Sequence, residues 1–368
     1  MATQQIPVVV LAGFLGSGKT TLLNHLLGAG AGTRIGALVN DFGSIEIDAM
    51  TIAGQVDSMV SLGNGCLCCA VDTSELDTYL ERLARPAARI DVIVIEASGL
   101  AEPEELIRMI LASENDRIVY GGLIEVVDAA EFGVTRIRHP ELDRHVGIAD
   151  LVVLNKADRI ADAARRQLLD TLADLAPGRP VVCTAYGRID PELFFDRGAG
   201  EDLEAGIRQL SFEDLLREGA AGEPDGDPGH LHDGHHGHDH APGEPCAHLH
   251  AAYQSVEFTS GEPMNPRRLM DFLDSRPTGL YRIKGFVHFD VPGSRQKFTV
   301  HAVGDFLRFY PSPWGRDEER STQLVLIGSG VDAEALRKEL TACREAAPEE
   351  ASEHSMWGVL RYVAGREE

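Results

Sequence analysis

Short runs of apolar residues alternate with segments of helical spacing over the first half of the chain. The apolar runs cover residues 6–12, 34–40, 91–96, 118–127, 150–155 and 180–184, and helical spacing occurs at residues 19–27, 74–83, 102–111 and 161–175. Because several of these runs have no polar face, they predict strands that are buried on both sides. The alternation of strand and helix predicts a doubly wound α/β domain with a mostly parallel sheet, over residues 1–200.

The pattern changes after residue 200. Residues 201–252 are rich in acidic residues, glycine, proline and finally histidine, so they have too little apolar surface to repay the entropy of ordering. We predict that they form a flexible linker. Strand patterns return at residues 255–259, 280–291, 296–303, 306–310 and 323–327, with helical spacing at residues 266–273 and 332–342. They predict a smaller α+β domain over residues 253–368, with an antiparallel sheet and helices on one face.

Charge and composition narrow the classes of partner. The chain has 34 Lys and Arg residues against 58 Asp and Glu residues, a formal net charge of −24. A negative field opposes binding to nucleic acid or to an anionic membrane surface. No apolar run of the sequence approaches the roughly 20 residues that cross a bilayer. The run at residues 6–12 leads into a glycine loop instead of a cleavage site. We therefore expect a cytoplasmic protein without nucleic-acid or membrane partners.

A glycine-rich segment follows the first predicted strand and matches the phosphate-binding loop. It reads Gly13-Phe-Leu-Gly16-Ser17-Gly18-Lys19-Thr20, with Thr21 next in the following predicted helix. Glycines allow backbone N–H groups to point into one concavity at a helix N-terminus, where they bind phosphate oxygens. In such a loop Lys19 meets the β- and γ-phosphates, and the Thr20 hydroxyl is a ligand of Mg²⁺. We predict a nucleotide site here; the alternative is a glycine-rich turn without a ligand.

A second motif, Asn155-Lys156-Ala157-Asp158, follows another buried strand. In nucleotide-binding proteins this pattern reads guanine, because the Asp158 carboxylate can accept hydrogen bonds from both N1–H and the 2-amino group. Adenine does not offer that pair of donors, so ATP would leave the carboxylate unpaired. Ala185, after the last strand of the first domain, falls where a backbone N–H can reach the guanine carbonyl oxygen. The sequence therefore predicts GTP as the nucleotide.

The strand at residues 91–96 ends in an acidic residue and then a glycine, Glu96 and Gly99. An acid at that strand end can hold Mg²⁺ through water, and the Gly99 N–H can contact the γ-phosphate. We therefore place Glu96 with Lys19 and Thr20 among the catalytic residues. The alternative role for Glu96 is a cap on the following helix. Asp41, which closes the second strand, lies where a first switch segment would be expected.

Three of the six cysteines are packed into one segment. It reads Gly63-Asn64-Gly65-Cys66-Leu67-Cys68-Cys69. On a regular strand Cys69 would face away from Cys66 and Cys68, so the three thiolates converge only in a turn, which the preceding glycines favour. A three-sulfur site suits Zn²⁺ or Cu(I) and leaves a fourth position for another ligand. The alternatives are buried small side chains or a closed structural site.

Histidines crowd the predicted linker. They include His230, His232, His235, His236, His238 and His240. Neutral imidazoles at this density bind transition metals loosely. We predict weak metal sites here, and the alternative is an inert solvated spacer.

The motifs together resemble the CobW-type family of metal-related P-loop GTPases. The resemblance lies in Gly-Phe-Leu-Gly-Ser-Gly-Lys-Thr, Asn-Asp-Phe-Gly, Gly-Asn-Gly-Cys-Leu-Cys-Cys, Glu-Ala-Ser-Gly-Leu-Ala-Glu-Pro and Asn-Lys-Ala-Asp, in this order, and extends to the His-rich segment and residues 283–286 and 326–329. It implies GTP hydrolysis with Mg²⁺, metal bound at Cys66, Cys68 and Cys69, and delivery of that metal to a client protein. Many relatives carry Glu where this chain has Asp41.

Two functions from different classes follow from these motifs. The first is a GTP-hydrolysing metallochaperone that carries zinc, with Co²⁺ or another divalent metal as the alternative cargo. A related alternative is an accessory protein for cobalt or iron insertion. The second is a GTP-dependent regulatory switch whose cysteine site holds a structural zinc. The sequence leaves the client and the oligomeric state open, with a homodimer as one arrangement.

Overall fold

A computed structural model of the chain describes residues 5–29, 33–39, 59–61, 73–195, 253–291, 296–316, 318–344 and 353–363. Asp41, the cysteine segment and the His-rich segment, for which the sequence predicts functions, lie outside these residues. None of the helices in the described ranges combines the length and the apolar character that a membrane span requires.

The first half of the chain forms a seven-stranded parallel sheet. Its strands are β1 (Ile6–Ala12), β2 (Ile35–Val39), β3 (Met59–Ser61), β4 (Val92–Glu96), β5 (Ile118–Asp128), β6 (Leu151–Asn155) and β7 (Val181–Cys183). Their order in the sheet is β3-β2-β4-β1-β5-β6-β7. Every pair is parallel, so the carboxyl ends of the strands meet at one edge. The predicted fold class is confirmed.

Helices cover both faces of this sheet. They are α1 (Lys19–Ala29), α2 (Thr73–Leu83), α3 (Pro103–Ala112), α4 (Phe132–Arg138), α5 (Glu141–Ile148) and α6 (Asp162–Leu175). Alternate residues of β1 supply the two layers: Val9 packs with Leu22 of α1, whereas Val10 packs with Leu106 of α3. This division explains why β1 is apolar at successive positions.

In the first half of the chain the observed elements coincide with the predicted ones to within one or two residues, with three differences. Helices α4 and α5 are absent from the predicted pattern because each is short, at 7 and 8 residues, and Pro140 separates them. The short apolar run before the cysteine segment forms strand β3 at the edge of the sheet.

The second half forms a five-stranded antiparallel sheet. Its strands are β8 (Gln254–Ser260), β9 (Leu280–His288), β10 (Gln296–Val303), β11 (Phe306–Pro313) and β12 (Thr322–Gly328), in the order β11-β10-β9-β12-β8. Helices α7 (Pro266–Asp274) and α8 (Ala333–Ala342) share one apolar cluster with the sheet, as predicted for helices on one face. A short helix that was not predicted, α9 (Trp357–Leu360), packs in the same cluster. Strand β9 ends at His288, three residues before the predicted end.

The two sheets meet through a buried interface. Tyr281, Val303 and Ile327 of the second sheet join the apolar cluster that lies beneath α1. Arg282 donates a 3.1 Å hydrogen bond to the carbonyl oxygen of Phe194, and Nε2 of His301 lies 2.9 Å from the carbonyl oxygen of Tyr120. The second domain is therefore held against the base of β5, whose other end reaches the candidate site.

Candidate nucleotide site

The loop between β1 and α1 follows a path that requires glycine at two positions. Gly13 has φ 142°, and an added Cβ there would stand 2.3 Å from the carbonyl oxygen of Val126. Gly18 has φ 103°, and its Cβ would stand 2.2 Å from Nδ2 of Asn155. Both separations are far below van der Waals contact. A side chain at either position would therefore displace the backbone of β5 or the segment Asn155–Asp158, which we call the guanine motif. The loop is thus packed tightly against β5 and β6.

Lys19 closes this loop from inside. It is the first residue of α1 and only 6% exposed. Its ammonium donates hydrogen bonds to the carbonyl oxygens of Gly13 at 2.9 Å and Phe14 at 3.3 Å. The loop therefore carries a buried positive charge at a helix N-terminus, the electrostatic setting that binds phosphate.

Thr20 and Glu96 meet beside the loop. The Thr20 hydroxyl donates a 2.6 Å hydrogen bond to Oε1 of Glu96, and Glu96 is 5% exposed. A hydroxyl and a carboxylate in contact form a set of hard oxygen donors, which fits Mg²⁺ and not a soft metal. The cap of α3 is Glu102, six residues further on. The alternative role of Glu96 as a helix cap is therefore wrong.

The guanine motif is tied to the phosphate loop by two side chains. Asn155 donates from Nδ2 to the carbonyl oxygen of Ser17 at 2.9 Å, and its Oδ1 accepts from the Gly187 N–H at 3.0 Å. Lys156 has a left-handed backbone, φ 57°, and its ammonium donates to the carbonyl oxygen of Gly16 at 2.7 Å. The two motifs, about 140 residues apart in the chain, are thus held as one unit.

The other predicted site residues take separate positions around this unit. Asp158 is exposed in the 3-10 turn Ala157–Arg159, and Thr21 is exposed on the first turn of α1. Ala185 follows β7, and the preceding Thr184 accepts a 3.1 Å hydrogen bond from the Ala157 N–H. Gly99 lies against the loop, since a Cβ there would stand 2.7 Å from the Leu15 nitrogen.

Two acidic residues at the end of β5 were not predicted. Asp128 pairs with Lys156 at 2.6 Å and so helps to orient the guanine motif. Glu125, opposite Ala12 in the sheet, is 1% exposed. Burial raises its pKa to about 8, against the opposing charge of Lys19. The signal available in the sequence was a charge at the end of an otherwise apolar strand.

The predicted transition-metal ligands lie outside the described residues. This holds for Cys66, Cys68 and Cys69 and for His230, His232, His235, His236, His238 and His240. Within the ranges that the structure covers, no three His, Cys, Asp or Glu side chains come together as a candidate metal site.

A parallel sheet in the order β3-β2-β4-β1-β5-β6-β7, with a glycine loop closed by a buried lysine at the end of its central strand, defines a nucleotide-binding domain of the P-loop class. The family described as "CobW/HypB/UreG, nucleotide-binding domain" matches residues 7–183. The "Cobalamin synthesis protein cobW C-terminal domain" matches residues 253–344. The chain belongs to the CobW family.

Curated relatives match over nearly the whole chain. A protein named zinc chaperone CobW from Sinorhizobium sp is 29% identical, over 92% of this chain and 97% of its own. Another protein of that name, from Pseudomonas aeruginosa, is 30% identical over 91% of each chain. The crystal structure of the Zn(II)-bound YjiA GTPase from E. coli is 20% identical, with 93% of this chain and 100% of that chain covered and a TM-score of 0.39.

Proposed function

We propose that this protein is a Mg²⁺-dependent GTPase that converts GTP to GDP and phosphate and uses the reaction to hold and then deliver zinc to a client protein. The observation that carries the nucleotide part is the 2.9 Å hydrogen bond from Nδ2 of Asn155 to the carbonyl oxygen of Ser17, which joins the guanine motif to the phosphate loop. The metal part is supported by the two relatives named zinc chaperones, which match over more than nine-tenths of this chain.

Each nucleotide residue has a distinct task in this proposal. Lys19 offsets the charge that develops on the β- and γ-phosphates, together with the N–H groups of the loop. Lys156, held by Gly16 and Asp128, sets the spacing between the phosphate loop and the guanine pocket. Asp158 is exposed in the turn Ala157–Arg159, and in this proposal its carboxylate accepts hydrogen bonds from the guanine N1–H and 2-amino groups.

The Thr20 hydroxyl and the Glu96 carboxylate are the residues that would hold Mg²⁺. When bound, Mg²⁺ would withdraw negative charge from the phosphate oxygens while the γ-phosphoryl group is transferred to water. Glu96 is oriented for this role by the hydrogen bond from Thr20 to one of its carboxylate oxygens and by its burial at 5% exposure.

Zinc is the cargo in this proposal, and Cys66, Cys68 and Cys69 are its ligands. Three thiolates bind Zn²⁺ tightly and leave a fourth position through which a client can take the metal. The imidazoles of His230, His232, His235, His236, His238 and His240 would bind further ions weakly. Co²⁺ is the alternative cargo, since imidazole and thiolate ligands also accept it.

The zinc affinity of the full chain in each nucleotide state tests the coupling. We expect it to differ by about 5- to 150-fold between GDP and a non-hydrolysable GTP analogue, because a carrier must change its affinity in order to release its cargo. A chelator competition titration measures this ratio. Equal affinities would instead favour the regulatory switch with a structural zinc.

Cysteine variants identify the ligands. Replacing Cys66, Cys68 and Cys69 together by serine should remove the tight zinc site and the effect of zinc on nucleotide affinity. Cys183→Ser is the matched control, because Cys183 is a partly buried free cysteine in strand β7. A triple variant that keeps one tightly bound zinc would contradict the assignment of these ligands.

A further inference from the structure

The carboxyl group of Glu125 is buried beside the phosphate loop. The residue is 1% exposed, and its neighbour across the sheet is Ala12, the last residue before the loop. In the part of the chain that the structure describes, its Oε2 atom is buried without a hydrogen-bond partner. A carboxylate in this position has lost its hydration without a full set of replacement donors, which disfavours the ionised form.

Among the described residues, few charged groups lie near Glu125. Lys19, at the start of α1, is the cation that acts on its carboxyl group and favours ionisation. Glu125 also lines a cavity of about 370 Å³ behind the loop, whose charged lining residues are Asp128, Glu131, Lys156 and Arg159. Asp128 and Lys156 neutralise each other in a 2.6 Å ion pair, so they contribute little net field. The charge state of Glu125 thus depends mainly on burial and on Lys19.

We propose that Glu125 is a further residue of the nucleotide site, whose carboxylate takes up a proton when the phosphates of a nucleotide reach Lys19. Before binding, the field of Lys19 stabilises the carboxylate. After binding, the phosphates neutralise that field and add negative charge of their own, so the carboxylate loses its stabilising partner. The proton comes from the solvent through the cavity and returns when the nucleotide leaves. The inference rests on the proposed nucleotide function.

The pH range of this effect follows from the sign of the shift. The pKa of Glu125 is raised to about 8 by burial in the free protein, and bound phosphate raises that pKa further. Well below pH 8 the carboxyl group is protonated in both states, so binding exchanges no proton. Above pH 8 the Glu125 carboxyl group of the free protein is ionised, so nucleotide binding is accompanied by uptake of one proton. Nucleotide affinity should therefore fall about tenfold between pH 7 and pH 9 through Glu125 alone.

Calorimetry of GDP binding to the full chain with Mg²⁺ tests the proposal. Titrations in buffers of different ionisation enthalpy count the protons taken up per nucleotide at pH 7 and pH 9. We expect close to none at pH 7, and at pH 9 close to one more in the parent than in Glu125→Gln. Ionisation of the guanine ring itself is common to both proteins and cancels in the difference. Glu131→Gln is the matched control, because Glu131 lines the same cavity but is exposed.

The possible results distinguish a failure of the Glu125 proposal from a failure of the proposed nucleotide binding. Supporting results are loss of the proton uptake at pH 9 in Glu125→Gln and parent behaviour of Glu131→Gln. If the parent binds GDP at pH 9 without proton uptake, the role of Glu125 is wrong while the nucleotide function stands, even where the variant does not fold. If the parent binds no guanine nucleotide at either pH, both are wrong.

Discussion

The hydroxyl of Thr20 donates a 2.6 Å hydrogen bond to Oε1 of Glu96, so the first turn of α1 and the end of β4 meet at one point. These residues are 76 positions apart in the chain. The contact brings both proposed Mg²⁺ ligands together beside the phosphate loop.

Glu96→Gln should slow GTP hydrolysis and raise the Mg²⁺ concentration that it requires. The amide keeps the size of the side chain but removes the charge, and loss of such a ligand or orienting group costs roughly 10- to 100-fold. Hydrolysis measured against Mg²⁺ concentration tests this. Glu105→Gln, an exposed position on α3, is the control and should behave as the parent. An unchanged Mg²⁺ requirement in Glu96→Gln would remove Glu96 from the site.

Asp158→Asn should change the nucleotide preference from GTP to xanthosine triphosphate. An asparagine can accept from N1–H and donate to the 2-carbonyl oxygen of xanthine. On guanine, its side-chain NH₂ group meets the 2-amino group, which is also a donor. A site built for hydrogen bonds rejects an unmatched partner strongly, by about 10- to 100-fold or more. Competition binding of the three nucleotides, with ATP as the third, measures this preference. Parent protein with equal ATP and GTP affinities would overturn the guanine assignment.

Gly18→Ala should abolish nucleotide binding and destabilise the first domain. Its Cβ would stand 2.2 Å from Nδ2 of Asn155, so the side chain that joins the two motifs must move. Gly28→Ala is the control, because Gly28 lies in α1 with open space around its Cα and an ordinary backbone. That change should stabilise the protein by about 0.5–1 kcal/mol, as a helical alanine does. Thermal unfolding and GDP binding of both variants measure these effects.

Acid should weaken the packing between the two domains through His301. Burial lowers the pKa of this imidazole to about 3, and its Nε2 donates to the carbonyl oxygen of Tyr120. The imidazole of the unfolded chain binds a proton near pH 6.5, whereas that of the folded chain does not. The contribution of His301 to the free energy of unfolding is therefore complete above that pH and is lost as the pH falls. Between pH 7 and pH 5 the loss is about 2 kcal/mol.

His301→Gln isolates this contribution. Glutamine keeps an N–H donor for the Tyr120 carbonyl oxygen but does not titrate, so the variant should lose less stability than the parent between pH 7 and pH 5. Thermal unfolding at both pH values measures the difference. Identical pH dependence in the two proteins would show that His301 is not buried in a neutral state.

Most of the fold was accessible from apolar spacing. The limits of β1 and β10 coincide with their predictions because a strand buried on both faces, or one with strict alternation, has an unmistakable pattern. Helices α4 and α5 were missed because segments of 7 and 8 residues hold two turns each, too few for a periodic signal. Their packing against β5 and β6, and not their own spacing, explains their presence.

The sequence by itself determined the parts of the site that depend on local geometry. A phosphate loop needs glycines and a lysine within eight residues, so Lys19 and Thr20 could be found without any tertiary contact. The same holds for the guanine motif around Asn155 and Asp158. The family could likewise be recognised from motifs in chain order.

Only the tertiary structure decided which residues of different segments interact with one another. Asp128 and Glu125 carry no motif, and their roles arise because β5 lies between β1 and β6 in the parallel sheet. That neighbourhood places one carboxylate against Lys156 and buries the other within the field of Lys19. Burial and the distance between charges set the ionisation of a group, and both are properties of packing that linear spacing does not encode.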